Sequence, residues 1–208
     1  QYITGSLWRE YSSGINGQYG FMLPDNLIEN QKFDQPILTP STKAEYGAHD
    51  EPISRKKIIN SLVDENIYAK AEKYALQLFE AGQDWANSRG LILVDTKYEF
   101  GMYNGELIVI DEIHTPDSSR FWVKDEYRTR FNNRESQKML DKENIRQWLI
   151  DRGYKGEGTP PKLTSDIRIL LAEKYIELYK TLLGKEFTPS VGNVAERINK
   201  NLSKNGII

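Results

Sequence analysis

The clearest absences in this 208-residue chain are cysteine and long apolar runs. Without cysteine, the chain has no disulfide framework, no thiolate metal site and no cysteine nucleophile. Its two histidines are too few for a histidine-rich metal centre. No apolar run approaches the roughly 18 residues that a membrane span needs, so we expect no membrane contact. The composition, 38% hydrophobic and 28% charged, is ordinary for a globular protein with a core.

The beginning of the chain also lacks familiar features. It has no initiator methionine and none of the basic and apolar regions of a signal peptide. Because ordered-looking sequence starts at once, we expect the chain to be part of a longer protein. A length of 208 residues fits one large domain or two small ones.

A large excess of one charge is missing too. The 28 basic and 30 acidic residues nearly balance, which argues against a dedicated nucleic-acid binder. The charges are unevenly placed, with 10 basic and 18 acidic residues in 1–119, and 18 basic and 12 acidic residues in 120–208. A solvated helical surface explains the basic part. A sharper interpretation is that the acidic part gathers metal-binding carboxylates while nearby cations hold anionic ligands.

Residues 1–52 are predicted to form loops and short strands, because glycine and proline punctuate them. The spacing of Gly14, Gly17 and Gly20 resembles a phosphate loop only superficially, since no strand-then-helix context surrounds it. Turns are the better interpretation of these glycines.

The later sequence predicts several helices. Caps and apolar periodicity indicate a short helix over 54–63, a longer one from Asp64 to a stop at Gly90, and helices over 141–151 and 164–183. A last helix is expected after residue 189. We find no internal repeats.

Between the helices, residues 91–100 and 107–112 read as two strands joined at Asn104-Gly105, a hairpin signal. Alternation then places Asp95, Lys97 and Glu99 on one face and the apolar side chains on the other.

Register decides where Asp111 lies. A two-residue turn would pair Tyr98 with Asp111 and put a carboxylate on the apolar face. Burial usually specifies register, so we predict a three-residue turn that pairs Tyr98 with Ile110 and sets Asp111 opposite Lys97. Glu99 and Asp111 would then converge, which suits a hard cation such as Mg²⁺ with a nucleotide phosphate. A surface Lys–Glu–Asp ion network is the alternative.

Two further polar stretches flank this region. Residues 115–122 include Arg120, suited to bidentate capture of phosphate, and two serine hydroxyls, although Pro116 and Asp117 also read as an ordinary turn. Residues 39–51 offer Lys43 as a candidate phosphate contact, with an ordinary loop as the alternative.

These stretches closely resemble the SAICAR synthetase (phosphoribosylaminoimidazole-succinocarboxamide synthetase) family. The matching segments are residues 2–6 and 8–11, 39–45 and 49–51, 95–101, and 111–112 with 115–122. They occur in the family's order, and the Asp-x-Lys-x-Glu-Phe-Gly and Pro-Asp-Ser-Ser-Arg motifs together are highly specific. The helical part to about Gly184 also looks family-like, whereas the tail beyond it carries no recognisable motif.

The resemblance implies an ATP-dependent, Mg²⁺-using ligase of purine biosynthesis. It would join L-aspartate to 4-carboxy-5-aminoimidazole ribonucleotide through an acyl phosphate, in the cytoplasm. The implied fold is α+β and similar to ATP-grasp enzymes, with an antiparallel sheet over helices. The chain would form one large lobe, with the substrate, metal and nucleotide site in 1–122, including the 91–112 hairpin, and a mainly helical remainder in 123–208. The expected partners are small-molecule substrates, and neither nucleic acid nor a membrane is expected. The resemblance does not decide whether the chain forms a homo-oligomer.

Carried over by position, the resemblance assigns residues to five roles. These are the metal carboxylates Glu99 and Asp111; the ribonucleotide-phosphate contacts Ser6 and Arg120; the imidazole-carboxylate contacts Asp95 and Lys97; the substrate-site acid Asp117; and the nucleotide side, with Lys43, Glu99 and the neighbouring loop residues His49, Asp50 and Glu51.

One departure from the family is serious. The family's N-terminal lobe, with its nucleotide-covering hairpin, has no counterpart in this sequence. We therefore expect the chain alone to be inactive or to bind ATP poorly unless that lobe is supplied.

Two other interpretations compete with the ligase. A Mg²⁺-dependent phosphotransferase would need a catalytic Asp loop with a nearby Asn, which we do not find. A non-catalytic, nucleotide-binding relative of the same fold is disfavoured by the intact set of Asp95, Lys97, Glu99, Asp111 and Arg120.

Overall fold

The computed structural model describes residues 1–44, 50–154, 156 and 158–208. Its elements run in the order α1 (Gly5–Ser12), α2 (Arg55–Ser61), α3 (Glu65–Ser88), β1 (Leu91–Thr96), β2 (Glu99–Tyr103), β3 (Glu106–Ile110), β4 (Ser119–Val123), α4 (Lys124–Asn132), α5 (Glu143–Ile150), α6 (Ser165–Leu183) and α7 (Val194–Lys204). No helix in this described part of the chain is long and apolar enough to cross a membrane.

The helix boundaries follow the predicted caps. Side chains of Ser54, Asp64 and Thr164 accept backbone N–H bonds at the starts of α2, α3 and α6. Gly90 and Gly184 follow the ends of α3 and α6 with left-handed φ angles of 73° and 62°. These helix predictions are confirmed.

Helix α1 was not predicted, and the expectation of only loops and short strands in 1–52 was wrong there. It has eight residues, starts at a glycine, and its N-cap Thr4 makes no side-chain capping bond. The sequence signals for its start are therefore weak, and its position depends on tertiary contacts.

The single sheet expected from the sequence was also wrong. The strands form two separate antiparallel pairs, β1 with β4 and β2 with β3. The chain leaves the first pair after Thr96 and enters the second at Glu99, so residues 91–100 are two strands rather than one.

Strand β1 is buried on both faces. Leu91 and Leu93 pack in one cluster with Phe79 of α3, Phe121 of β4 and Leu178 of α6. On the opposite face, Val94 packs with Tyr2 and Trp122 in a second cluster. Helices on one side and the N-terminal segment on the other thus hold β1 and β4 rigidly, and the end of this pair leads into the candidate site.

Candidate functional site

A cleft of about 870 Å³ lies where α2, α3, the end of β1 and the β2–β3 hairpin meet. Apolar side chains of α2 and α3 form much of its wall, among them Ile58, Ile67, Ala71 and Ala75. Its polar lining includes six of the predicted site residues, namely Ser6, Lys43, Asp50, Asp95, Lys97 and Glu99. The structure therefore brings most of the predicted site together.

The residues at the junction of β1 and β2 form an alternating network of charges. Lys97 Nζ lies 3.1 Å from an oxygen of Asp50 and 3.1 Å from an oxygen of Glu99, and Lys43 binds the other oxygen of Glu99. The lysine side chains are 58% and 76% exposed, whereas Glu99 is 17% exposed. This network contains Asp50 and Lys43 rather than the Asp111 expected beside Lys97 and Glu99, and its exposed lysines can turn toward an anion.

The network shifts the pKa of each carboxylate downward. Hydrogen bonds from Lys43 and Lys97 lower the pKa of Glu99, and the backbone N–H of Ala44 together with Lys97 lowers that of Asp50. The same bonds raise the pKa of Lys97. Asp50, Glu99 and Lys97 are therefore charged at neutral pH.

Arg120 forms the second charged centre, and it is 17% exposed. Its Nη1 binds Asp95, its cross-strand partner, and its Nε lies 3.3 Å from an oxygen of Glu143 at the start of α5. Burial alone would lower the pKa of Arg120, but Asp95 and Glu143 raise it above its ordinary value.

A β-bulge makes the Asp95–Arg120 pair. Leu93 pairs with Phe121, but the register then shifts so that Asp95, not Val94, pairs with Arg120. The bulged residue Val94 is fully buried. An extra residue in one strand re-aims the following side chain, and bulges are frequent beside active sites.

The start of α1 closes over Arg120. A Cβ on Gly5 would lie 2.2 Å from Arg120 Nη2, and Gly5 has a φ of 59°, so glycine is required for two reasons. Ser6 follows on the exposed side and lines the cleft. Ser6 and Arg120, assigned together from the sequence, thus occupy neighbouring positions.

The predicted hairpin register was wrong. Glu99 pairs with Ile110, and a two-residue turn at Asn104 and Gly105, with φ of 49° and 80°, joins the strands. The argument from burial failed because the hairpin is half exposed and Tyr98 lies outside it. Consequently Asp111 is not opposite Lys97.

Asp111 instead follows the end of β3, is exposed, and has a left-handed φ of 68°. It comes directly after Ile110, the cross-strand partner of Glu99. Within the described ranges, no group of three or more histidine or acidic side chains is arranged to hold a metal ion. The two carboxylates therefore remain a predicted pair of ligands rather than a preformed cluster.

The remaining predicted residues lie outside the cleft lining or outside the described ranges. Asp117 is exposed and accepts a 2.5 Å hydrogen bond from the Tyr175 hydroxyl of α6. Glu51 is exposed, and its backbone carbonyl accepts a hydrogen bond from the backbone N–H of Thr42 at 2.9 Å. His49 falls outside the described residues.

One half-buried pair, of which Tyr98 lines the cleft, was missed. The Tyr98 hydroxyl lies 2.5 Å from Nε2 of His114, whose ring packs so closely on Gly82 that a Cβ there would sit 2.3 Å from Cε1. Burial raises the pKa of Tyr98 and lowers that of His114. Tyr98 stands between Lys97 and Glu99, so the pair fixes the turn between the sheets. The signal available in the sequence was Gly82, a glycine inside a predicted helix, which indicates close packing at that position.

Comparison with solved structures shows a shared fold. The chain is similar to the SAICAR synthase of Saccharomyces cerevisiae complexed with SAICAR, with a TM-score of 0.74 and 39% identity over 90% of this chain and 59% of that one. It is also similar to a SAICAR synthetase from Pyrococcus horikoshii, with a TM-score of 0.62 and 26% identity over 90% and 63% of the two chains.

The sequence relationship is stronger. Residues 1–162 match the family described as SAICAR synthetase. The phosphoribosylaminoimidazole-succinocarboxamide synthase of Bacteroides fragilis is 48% identical over 97% of this chain, and that of Flavobacterium psychrophilum is 45% identical over 97%. The chain belongs to the SAICAR synthetase family. It spans 65% of the length of each of these two relatives.

Proposed function

We propose that this chain carries the substrate-binding part of an ATP-dependent carbon–nitrogen ligase. The reaction joins L-aspartate to the carboxylate of 4-carboxy-5-aminoimidazole ribonucleotide and yields the succinocarboxamide, ADP and phosphate. The observation that carries the proposal is the placement of two cationic centres at the end of β1: Lys97 lines the cleft, and Arg120, which lines a second cavity, binds the cleft residue Asp95. Family membership supports it, and one related structure, titled SAICAR synthetase (Type-2), is described in complex with ADP.

The chemistry explains why the carboxylate has to be activated by ATP. A carboxylate is a poor electrophile, so a phosphoryl group from ATP is first transferred to one of its oxygens. The aspartate amine then attacks the acyl carbon and loses a proton to solvent, and phosphate leaves with the electron pair of the broken C–O bond. Positioning and neutralisation of charge supply most of the catalysis in such phosphoryl transfers.

The residues divide this work by location. Arg120 and Ser6 hold the ribonucleotide phosphate at the start of α1, and Lys97 with Asp95 orients the imidazole carboxylate. Lys43 serves the nucleotide side, with Asp50 and Glu51 in the adjoining segment, and Asp117 contributes an acid to the substrate site. Because Lys97 already binds two carboxylates in this structure, a substrate carboxylate would exchange with one of them.

Mg²⁺ is part of the proposal, with Glu99 and Asp111 as its protein ligands. Two carboxylates suit a hard cation that keeps several waters and also binds phosphate oxygens. When bound, the ion would neutralise charge on the transferring phosphoryl group. Glu99 fits this role because it is charged at neutral pH and lies in the cleft.

Three further predictions follow from the family resemblance and remain predictions. They are the ATP-grasp-like relationship, an N-terminal lobe that completes the nucleotide site, and a cytoplasmic location.

Two assays test the function. With ATP, aspartate and the carboxylated imidazole ribonucleotide, formation of the succinocarboxamide identifies the ligase, whereas transfer of phosphate without amide formation identifies a phosphotransferase. Calorimetry of ribonucleotide binding tests the chain directly. Arg120→Ala should weaken that binding by about 1.5–3 kcal/mol, as expected for a charge-assisted contact. Unchanged affinity would contradict the assignment of Arg120.

A further inference from the structure

Asp141 is a buried carboxylate that no step of the proposed reaction uses. The whole residue is only 1% exposed. One oxygen accepts the backbone N–H of Phe121 at 2.8 Å, and the other accepts the backbone N–H of Glu143 at 2.8 Å. A single side chain therefore ties strand β4 to the first residue of α5.

The two tied residues are both connected to Arg120. Phe121 follows Arg120 in β4, and the Glu143 side chain returns to bind Arg120 Nε at 3.3 Å. The result is a closed ring of contacts. Asp141 binds the backbones of β4 and α5, and the Glu143 side chain of α5 binds the guanidinium of Arg120 in β4. Arg146 Nη1 lies 3.0 Å from the same oxygen of Glu143 and fixes it from the outer side.

This ring of contacts fixes the orientation of the Arg120 guanidinium. Nε is bound to Glu143 and Nη1 to Asp95, so carboxylates hold the guanidinium at two of its nitrogens. Nη2 is the Arg120 atom nearest to the position of a Gly5 Cβ, beside Ser6. Two acidic partners reduce the net charge around Arg120, so their contribution is to orientation rather than to attraction of an anion.

We propose that Asp141, acting through Glu143, is a positioning residue that orients the guanidinium of Arg120 toward the ribonucleotide phosphate. This inference rests on the proposed function, in which Arg120 binds that phosphate. The buried carboxylate is suited to the role because it fixes two backbone groups, whereas a flexible surface acid would fix none.

Calorimetry with the carboxylated imidazole ribonucleotide and with its dephosphorylated riboside tests the proposal. Asp141→Asn replaces one acceptor by a donor and should weaken ribonucleotide binding about tenfold, the scale of coupling between neighbouring groups. Riboside binding should not change. In an Arg120→Ala background, Asp141→Asn should cause no further loss. An equal loss with and without Arg120, or an equal loss for the riboside, would overturn the inference.

Two variants separate positioning from a general folding defect. Glu143→Gln leaves Asp141 intact, should lower ribonucleotide affinity in the same Arg120-dependent way, and covers the case in which Asp141→Asn does not fold. Asp151→Asn, at the far end of α5, makes the same chemical change on an exposed acid that contacts Gln147, and should leave the affinity unchanged.

A ligand-free measurement distinguishes failure of the inference from failure of the proposed function. The ¹⁵N resonance of Arg120 Nε–H should be slow to exchange in the unmodified chain, should shift and exchange faster in Asp141→Asn, and should be unaffected in Asp151→Asn. If the unmodified chain binds no ribonucleotide, the proposed function fails, yet this resonance still decides whether Asp141 positions Arg120. An unshifted resonance in Asp141→Asn would refute the positioning role.

Discussion

The two cationic centres of the candidate site, Arg120 and Lys97, are built in opposite ways. Arg120 is mostly buried, stands on the central strand pair, and is held by acids from β1 and α5. Lys97 is 58% exposed and sits where the chain passes between two small sheets. The difference indicates that Arg120 is held in one orientation, whereas the exposed Lys97 can exchange partners.

The largest expected effect is on the stability of the two supporting strand pairs. Leu93→Ala, at a fully buried residue of β1, should reduce the free energy of unfolding by about 2–5 kcal/mol, because it leaves a cavity among close-packed neighbours. Ile110→Ala, on a hairpin residue that is 38% exposed, should cost less than about 1 kcal/mol. Urea denaturation measures both, and similar losses would remove the contrast between the two regions.

The next effect is the pH dependence contributed by Asp141. Burial raises its pKa from 3.8 to about 6, although two backbone N–H groups and Arg120 act in the opposite direction. Since the folded-state pKa exceeds the unfolded one, the stabilising contribution of this group is complete below about pH 4. It is lost as the pH rises through about 6.

The measurement compares the unmodified chain with Asp141→Asn across this range. Relative to the variant, the unmodified chain should gain roughly 2–3 kcal/mol of unfolding free energy between pH 7 and pH 4. The comparison subtracts the other carboxylates, including Asp50 and Glu99, whose lowered pKa values make their own contributions disappear in acid. A constant difference over the range would contradict the burial argument.

A smaller effect tests the close packing of α1 on Arg120. Gly5→Ala and Gly14→Ala both place a side chain at a positive φ and should each cost about 1 kcal/mol of stability. Only Gly5→Ala collides with Arg120, because nothing lies within 4 Å of a Cβ at Gly14. We therefore expect ribonucleotide affinity to fall in Gly5→Ala alone; an equal fall in both variants would show strain rather than displacement of Arg120.

The smallest effect concerns the exposed network. Lys97→Ala should change stability by less than about 1 kcal/mol at low salt and by still less at high salt, as for other exposed ion pairs. Lys138→Ala, which removes a 42% exposed lysine paired with Glu126 away from the cleft, is the matched control. A large, salt-independent loss in Lys97→Ala would mean that Lys97 is held as rigidly as Arg120.

The sequence predicted the caps and several helices because those depend on neighbouring residues. Ser54, Asp64 and Thr164 each satisfy N–H groups within their own helix. It also predicted six polar residues that line the cleft, through motifs whose residue types suit phosphate and carboxylate chemistry.

The failures concern contacts between distant segments. The register of the hairpin was wrong because Tyr98, counted as a hairpin residue, instead packs beside α3 and bonds His114. The role of Asp141 was missed because its partners are backbone groups of β4 and α5, about which the spacing of side chains carries no information.

The bulge at Val94 has a consequence for how the chain can change in length. One extra residue keeps Val94 in the second core and still brings Asp95 opposite Arg120. Most substitutions at neighbouring positions would leave that spacing intact, but deletion of a single residue between Leu93 and Asp95 would not. The strand would have to lose either its buried valine or its ion pair, so this segment tolerates changes in residue type far better than changes in residue number.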